Sequence, residues 1–131
     1  MSAVTPFFAA ALALIYLALS VIIVRLRFAK QVSLGDGNDR QLRRAIRAHG
    51  NFIEYVPLVL ILMWFLESLT LSPSLPFWLG AVLLVARVAH AFGVFYPKQL
   101  IILRQLGTVA TFGVLMLASA AILRFYLPVS I

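Results

Sequence analysis

Arg47, Asn51 and Glu54 stand at i, i+4 and i+7, a spacing that sets them on one face of a helix. Arg87 and His90 obey the same rule at i and i+3, and Arg104 opens a later apolar run. An arginine grips a carboxylate through two parallel N–H donors. An amide both donates and accepts, and a carboxylate can pair with an ammonium. This set suits a small zwitterionic molecule. A thiol held beside Arg104 would ionise more readily than its ordinary pKa of roughly 8.5 allows, and the thiolate is the nucleophilic form. The chain has no cysteine, so such a thiol must come with a ligand. No His/Asp/Glu grouping has metal-ligand spacing, no serine is backed by a histidine, and no glycine-rich phosphate loop is present.

The elements that carry these residues are set by composition. Hydrophobic residues make up 63% of the 131 and charged residues only 11%. A soluble domain of this size needs far more polar surface, so the apolar excess must face lipid. The length fits one domain, residues 1–131. Four runs, at about 5–24, 52–71, 77–96 and 105–126, are each long enough to cross a hydrocarbon core of roughly 30 Å as a helix. They are too continuous in hydrophobicity for barrel strands. The expected fold is an all-α membrane protein, a bundle of four transmembrane helices. The first run lacks a basic leader and a cleavage signature, so it is expected to be retained as a span. Pro73 and Pro76 are expected to precede span three. Asn38 or Asp39 is placed to cap a basic helix from Arg40 that runs on into span two. Gly93 and Gly107 are expected to permit close helix packing.

The formal charge of +7 would suggest nucleic acid in a soluble protein. Here seven of the eleven basic residues (Arg25, Arg27, Lys30, Arg40, Arg43, Arg44 and Arg47) fall in one inter-helix stretch. That is a topology signal, with anionic lipid as a secondary partner, and nucleic acid is not expected. Loop three adds Lys98 and Arg104, loop two adds none, and Arg124 lies near the C-terminus. Loops one and three are therefore expected on the cytoplasmic side, with both termini outside.

An ionisable group inside a membrane costs roughly 2.5 to 3.5 kcal/mol on insertion scales, so each needs a reason. Each also has a plain structural reading. Arg47 can snorkel to headgroups. Glu54 and Arg87 can form an ion pair between helices, His90 can be a packing residue, and Arg104 can anchor a span end. Glu67 reads as interfacial, and Trp64, Trp78, Tyr96 and Tyr126 as an aromatic belt. What favours function is convergence. Three helices bring polar groups to one level of the bilayer, with lipid-facing grooves beside them to admit a greasy electrophile.

The stretch Arg47-Ala48-His49-Gly50-Asn51-Phe52-Ile53-Glu54-Tyr55-Val56-Pro57 resembles the signature of the MAPEG family, the membrane-associated proteins in eicosanoid and glutathione metabolism. Its pattern, R-A-x-x-N-x-x-E with a proline shortly after, opens a second span. The Arg87-Val88-Ala89-His90 run and the Val24-Arg25-Leu26-Arg27 close of span one are similar to the microsomal prostaglandin E synthases of that family. Together with the four-span layout, the resemblance covers nearly the whole chain and is nearest to the small bacterial inner-membrane members. It implies a homotrimer with glutathione held between neighbouring protomers. By motif, Arg47, Asn51, Glu54, Tyr55, Arg87 and His90 would bind glutathione, and Arg25 would reach across from the neighbour. Arg104 would stabilise the thiolate, a match that needs a shift in the preceding loop. Gly50 stands where prostaglandin E synthases carry a glutathione-binding arginine, and Val94 where the eukaryotic enzymes place a tyrosine.

Two functions follow from the resemblance. One is a glutathione transferase, with peroxidase activity as an extension, acting on lipophilic electrophiles. The other is a non-catalytic protein of the same fold that binds lipid or a partner. A proton-coupled multidrug transporter also has four short spans, but such transporters carry their essential acid in the first span, where this chain has no charged residue.

Overall fold

A computed structural model gives the fold and describes residues 4–69, 74–96 and 101–127. Pro73 and Lys98 lie outside these residues. Four helices follow in order: α1 (Thr5–Lys30), α2 (Arg40–Leu69), α3 (Ser74–Phe95) and α4 (Ile101–Tyr126), with no strand among the described residues. All four are long and apolar enough to cross a membrane. The protein is a four-helix membrane bundle.

The helices overrun the apolar windows because hydropathy marks where lipid lies, not where backbone hydrogen bonding stops. α1 continues past Val24 to Lys30 through arginine, leucine and alanine, all good helix formers. It ends at Gln31, whose φ of 54° is left-handed and whose N–H reaches back to the last carbonyls. α2 starts at Arg40 and is continuous into the membrane, as expected. Asp39, not Asn38, caps it: Asp39 Oδ1 accepts from the Leu42 N–H at 2.8 Å. α3 starts at Ser74, so Pro76 falls inside its first turn, where no intrahelical N–H bond is lost.

The loop between α1 and α2 is tied by its own charges. Arg27 donates from Nη1 to the carbonyls of Val32, Ser33 and Gly35. Lys30 pairs with Asp39 at 2.9 Å and Arg43 with Asp36. The Arg43 hydrogen bond holds the Asp36 carboxyl below the usual range, and the Lys30 bond does the same for Asp39. Glu67, expected to be merely interfacial, reaches from α2 to the start of α1. Its Oε1 accepts from the N–H groups of Val4 at 2.6 Å and Thr5 at 3.0 Å. Two orphan donors at the N-terminus of α1 are thereby satisfied by another helix.

The core draws on all four helices, with Leu12, Val59, Met63, Leu83 and Ala118 buried. α3 and α4 share the most extensive interface, and α2 touches each of the other three. Gly107 makes the α3–α4 approach possible, since a Cβ there would lie 2.5 Å from Ala86 O. Gly80 does the same for α1, where a Cβ would meet the Phe8 ring. Outward faces stay apolar, as a lipid-facing surface requires: Leu14, Val85, Val109 and Met116 are all exposed. So are Trp64, Trp78, Tyr96 and Tyr126.

Candidate functional site

A cleft of about 530 Å³ opens where α2, α3 and α4 meet near the basic end of α2. α2 supplies Arg43, Arg44, Arg47, Gly50, Asn51 and Glu54, one helical stripe. α3 supplies His90 and Val94, and α4 supplies Arg104. Five residues singled out by type and spacing (Arg47, Asn51, Glu54, His90 and Arg104) therefore share one cavity. Gly50 and Val94 line it as well. A Cβ at Gly50 would meet nothing within 4 Å, so the cleft has open space at this position.

Three other expected site residues are placed elsewhere. Arg87 is 2% exposed and sits behind Asn51 rather than in the cleft. Tyr55 packs edge-on against Phe112 of α4, with ring centroids 5.2 Å apart. Arg25 is exposed near the end of α1 and does not line its own chain's cleft. The suggested Glu54–Arg87 ion pair does not form. Among the described residues Glu54 has no ionic partner, and Arg87 instead takes neutral acceptors on two helices. Asn51 Oδ1 lies at 2.8 Å, Gly107 O at 3.1 Å and Thr111 Oγ1 at 2.6 Å.

Thr111 was not anticipated, although the signal was present. Arg104, Gly107 and Thr111 fall at i, i+3 and i+7, a polar or small stripe in an apolar helix. Arg43 and Arg44 read only as topology signals, yet both line the cleft. A second polar contact, also unanticipated, joins α1 to α2. His49 Nε2 lies 3.2 Å from Ser20 Oγ, and its ring lies over Tyr16. The Ser20 hydroxyl donates to Tyr16 O at 2.9 Å, which commits its proton to the backbone.

The cleft is electropositive. Arg43 is committed to Asp36, but Arg44, Arg47 and Arg104 have no acceptor among the described residues. Glu54 is the one carboxylate on the wall. Such a wall selects an anion and leaves one place for an ammonium. No group of three or more potential metal ligands occurs among the described residues. A separate apolar groove of about 450 Å³, which shares no lining residue with the cleft, runs between α3 and α4, past Trp78, Val82, Val85, Leu103 and Leu106. Leu103 lines the groove and its neighbour Arg104 lines the cleft.

The family model described as "MAPEG family" matches residues 5–124. Two similar proteins are the inner membrane protein YecN of Escherichia coli K12 and its counterpart in Escherichia coli O6:H1 strain CFT073. Each is 36% identical over 125 residues, covering 95% of this chain and 93% of the relative. No solved structure matches the chain.

Proposed function

Because the chain belongs to the MAPEG family, we propose that it is a membrane-bound glutathione transferase acting on lipophilic electrophiles. The observation that carries this reading is the gathering of Arg47, Asn51, Glu54, His90 and Arg104, from three helices, around one cleft. In the proposed complex the glutathione carboxylates meet Arg44 and Arg47, and its ammonium meets Glu54. Arg104 stands by the sulfur and stabilises the thiolate after the thiol proton leaves to water. The sulfur then attacks the electrophilic carbon: a C–S bond forms, and the electron pair departs with the leaving group or is protonated on the adduct. The apolar α3–α4 groove, whose wall includes Leu103, the chain neighbour of Arg104, suits the greasy partner. With a lipid hydroperoxide in its place, two glutathiones would supply the electrons and leave as the disulfide.

The family further supports a homotrimer, in which Arg25 of one protomer faces the cleft of the next. The exposure of Arg25, away from its own cleft, agrees with that role. The relatives named as inner membrane proteins support a place in a bacterial inner membrane. The arginines of loop one favour its cytoplasmic side.

Titration of the purified protein with glutathione by calorimetry tests the reading, beside an Asn51→Ala, Glu54→Gln double variant. Saturable binding that the variant loses is expected, and no binding at millimolar glutathione would sink the proposal. Arg104→Ala should lower turnover more than affinity, and an unchanged rate would remove Arg104 from the mechanism. A second reading, a lipid- or partner-binding protein without catalysis, is favoured by Gly50 and Val94. Both line the cleft and neither offers a side-chain donor or acceptor to a polar ligand. It predicts lipid retained through purification, seen by mass spectrometry, and no dependence on glutathione.

A further inference from the structure

We propose that Arg87, braced by Thr111, is a positioning residue that turns Asn51 so that its N–H groups, and not its carbonyl, face the cleft. This rests on the reading of the cleft as a glutathione site. A guanidinium has only donors, so the Asn51 atom that meets Arg87 Nη1 at 2.8 Å must be the oxygen. The amide nitrogen is then the free polar atom of Asn51. It has no partner among the described residues and is not among their buried unsatisfied atoms, and Asn51 lines the cleft. The nitrogen therefore opens on the cavity as a donor.

What holds the guanidinium is a closed triangle on α4. Arg87 Nη2 donates to Gly107 O and to Thr111 Oγ1, while the Thr111 hydroxyl donates to Gly107 O at 2.8 Å. The Thr111 proton is thus committed, which leaves its lone pairs for Arg87. Two anchors on one nitrogen fix the plane of the guanidinium, and with it the direction of the Nη1 hydrogen toward Asn51. The close α3–α4 approach at Gly107 brings the triangle within reach of α3. All three acceptors are neutral, so the Arg87 charge is not cancelled at its seat, and its field adds to that of Arg44, Arg47 and Arg104. The ligand atom opposite Asn51 must then be an acceptor, a carboxylate or carbonyl oxygen.

Two substitutions probe the chain of contacts from its ends. Asn51→Asp keeps an oxygen for Arg87 but replaces the cleft-facing donor with an acceptor. The thermal midpoint in detergent should hold, while glutathione affinity should fall by about tenfold or more. Thr111→Val should weaken glutathione binding in the wild-type background and Thr111→Ser should restore it. In an Asn51→Ala background Thr111→Val should change nothing, because the group it orients is gone. A merely structural Thr111 would weaken binding equally in both backgrounds, and that result would overturn the proposal. So would an Asn51→Asp variant that binds like wild type or unfolds as readily as Asn51→Leu. If the wild-type protein binds no glutathione, the transferase reading fails, and sulfate, an anion that only accepts, becomes the probe. It should raise the thermal midpoint of the wild type more than that of Asn51→Asp, and an equal response would overturn the positioning role.

Discussion

At Gly50 the cleft wall is bare, and the open space beyond it makes a direct experiment possible. Gly50→Arg should be accommodated without a drop in thermal midpoint, since glycine in a helix costs roughly 1 kcal/mol against alanine and arginine is among the better helix formers. The new guanidinium would join Arg47 and Arg104 at the cavity, and glutathione affinity should rise severalfold by calorimetry. Weaker binding would mean that the space at Gly50 is already used by the ligand or by a lipid. Arg47, Asn51 and Glu54 were legible as one face because helical periodicity alone places them, whatever α2 packs against. The burial of Arg87 was not. α3 is apolar on nearly every side, so nothing in its sequence says which face turns toward α4. Only the seat offered by Gly107 and Thr111, twenty and twenty-four residues on, decides it.

The ends of elements are where the hydropathy pattern said least. Glu67 looked like a surface acid at the end of span two, because its partners are backbone groups of α1 more than sixty residues away. Removing it should uncap α1. Glu67→Ala is expected to cost about 1 kcal/mol in thermal unfolding in detergent, in line with the loss of other N-terminal caps. Glu67→Gln keeps an acceptor oxygen and should cost less. The loop between α1 and α2 should respond to acid. Asp36 and Asp39 both titrate below their ordinary value in the folded protein. Their pairs with Arg43 and Lys30 therefore stabilise the fold in full above the unfolded value of about 3.9, and that contribution is lost as pH falls through the lower folded values. The amide shifts of Asn38 and Leu42, which donate to these carboxylates, should follow midpoints below 3.9 in an NMR titration. Because both pairs are exposed, salt should weaken the effect.

For the whole molecule, four spans are readable from the sequence because burial in lipid is judged segment by segment, without knowing what packs on what. Assembly is not readable that way, since a face that meets lipid and a face that meets a second copy are equally apolar. Orientation lies between the two, carried by the unequal division of charge between loops, and it decides whether the cleft can draw on the reduced glutathione of the cytosol. The natural chain has no cysteine, so single introduced thiols report sidedness without background. Ser33→Cys sits in the basic loop and Leu127→Cys just past the end of α4, both exposed. With a membrane-impermeant maleimide, intact spheroplasts should label Leu127→Cys and spare Ser33→Cys, and inside-out vesicles should reverse the pattern. Labelling of Ser33→Cys from outside would put the arginine-lined cleft on the far side from the cytosolic thiol pool. The same cavity would then have to serve a different anion, whatever its fit to glutathione in detergent.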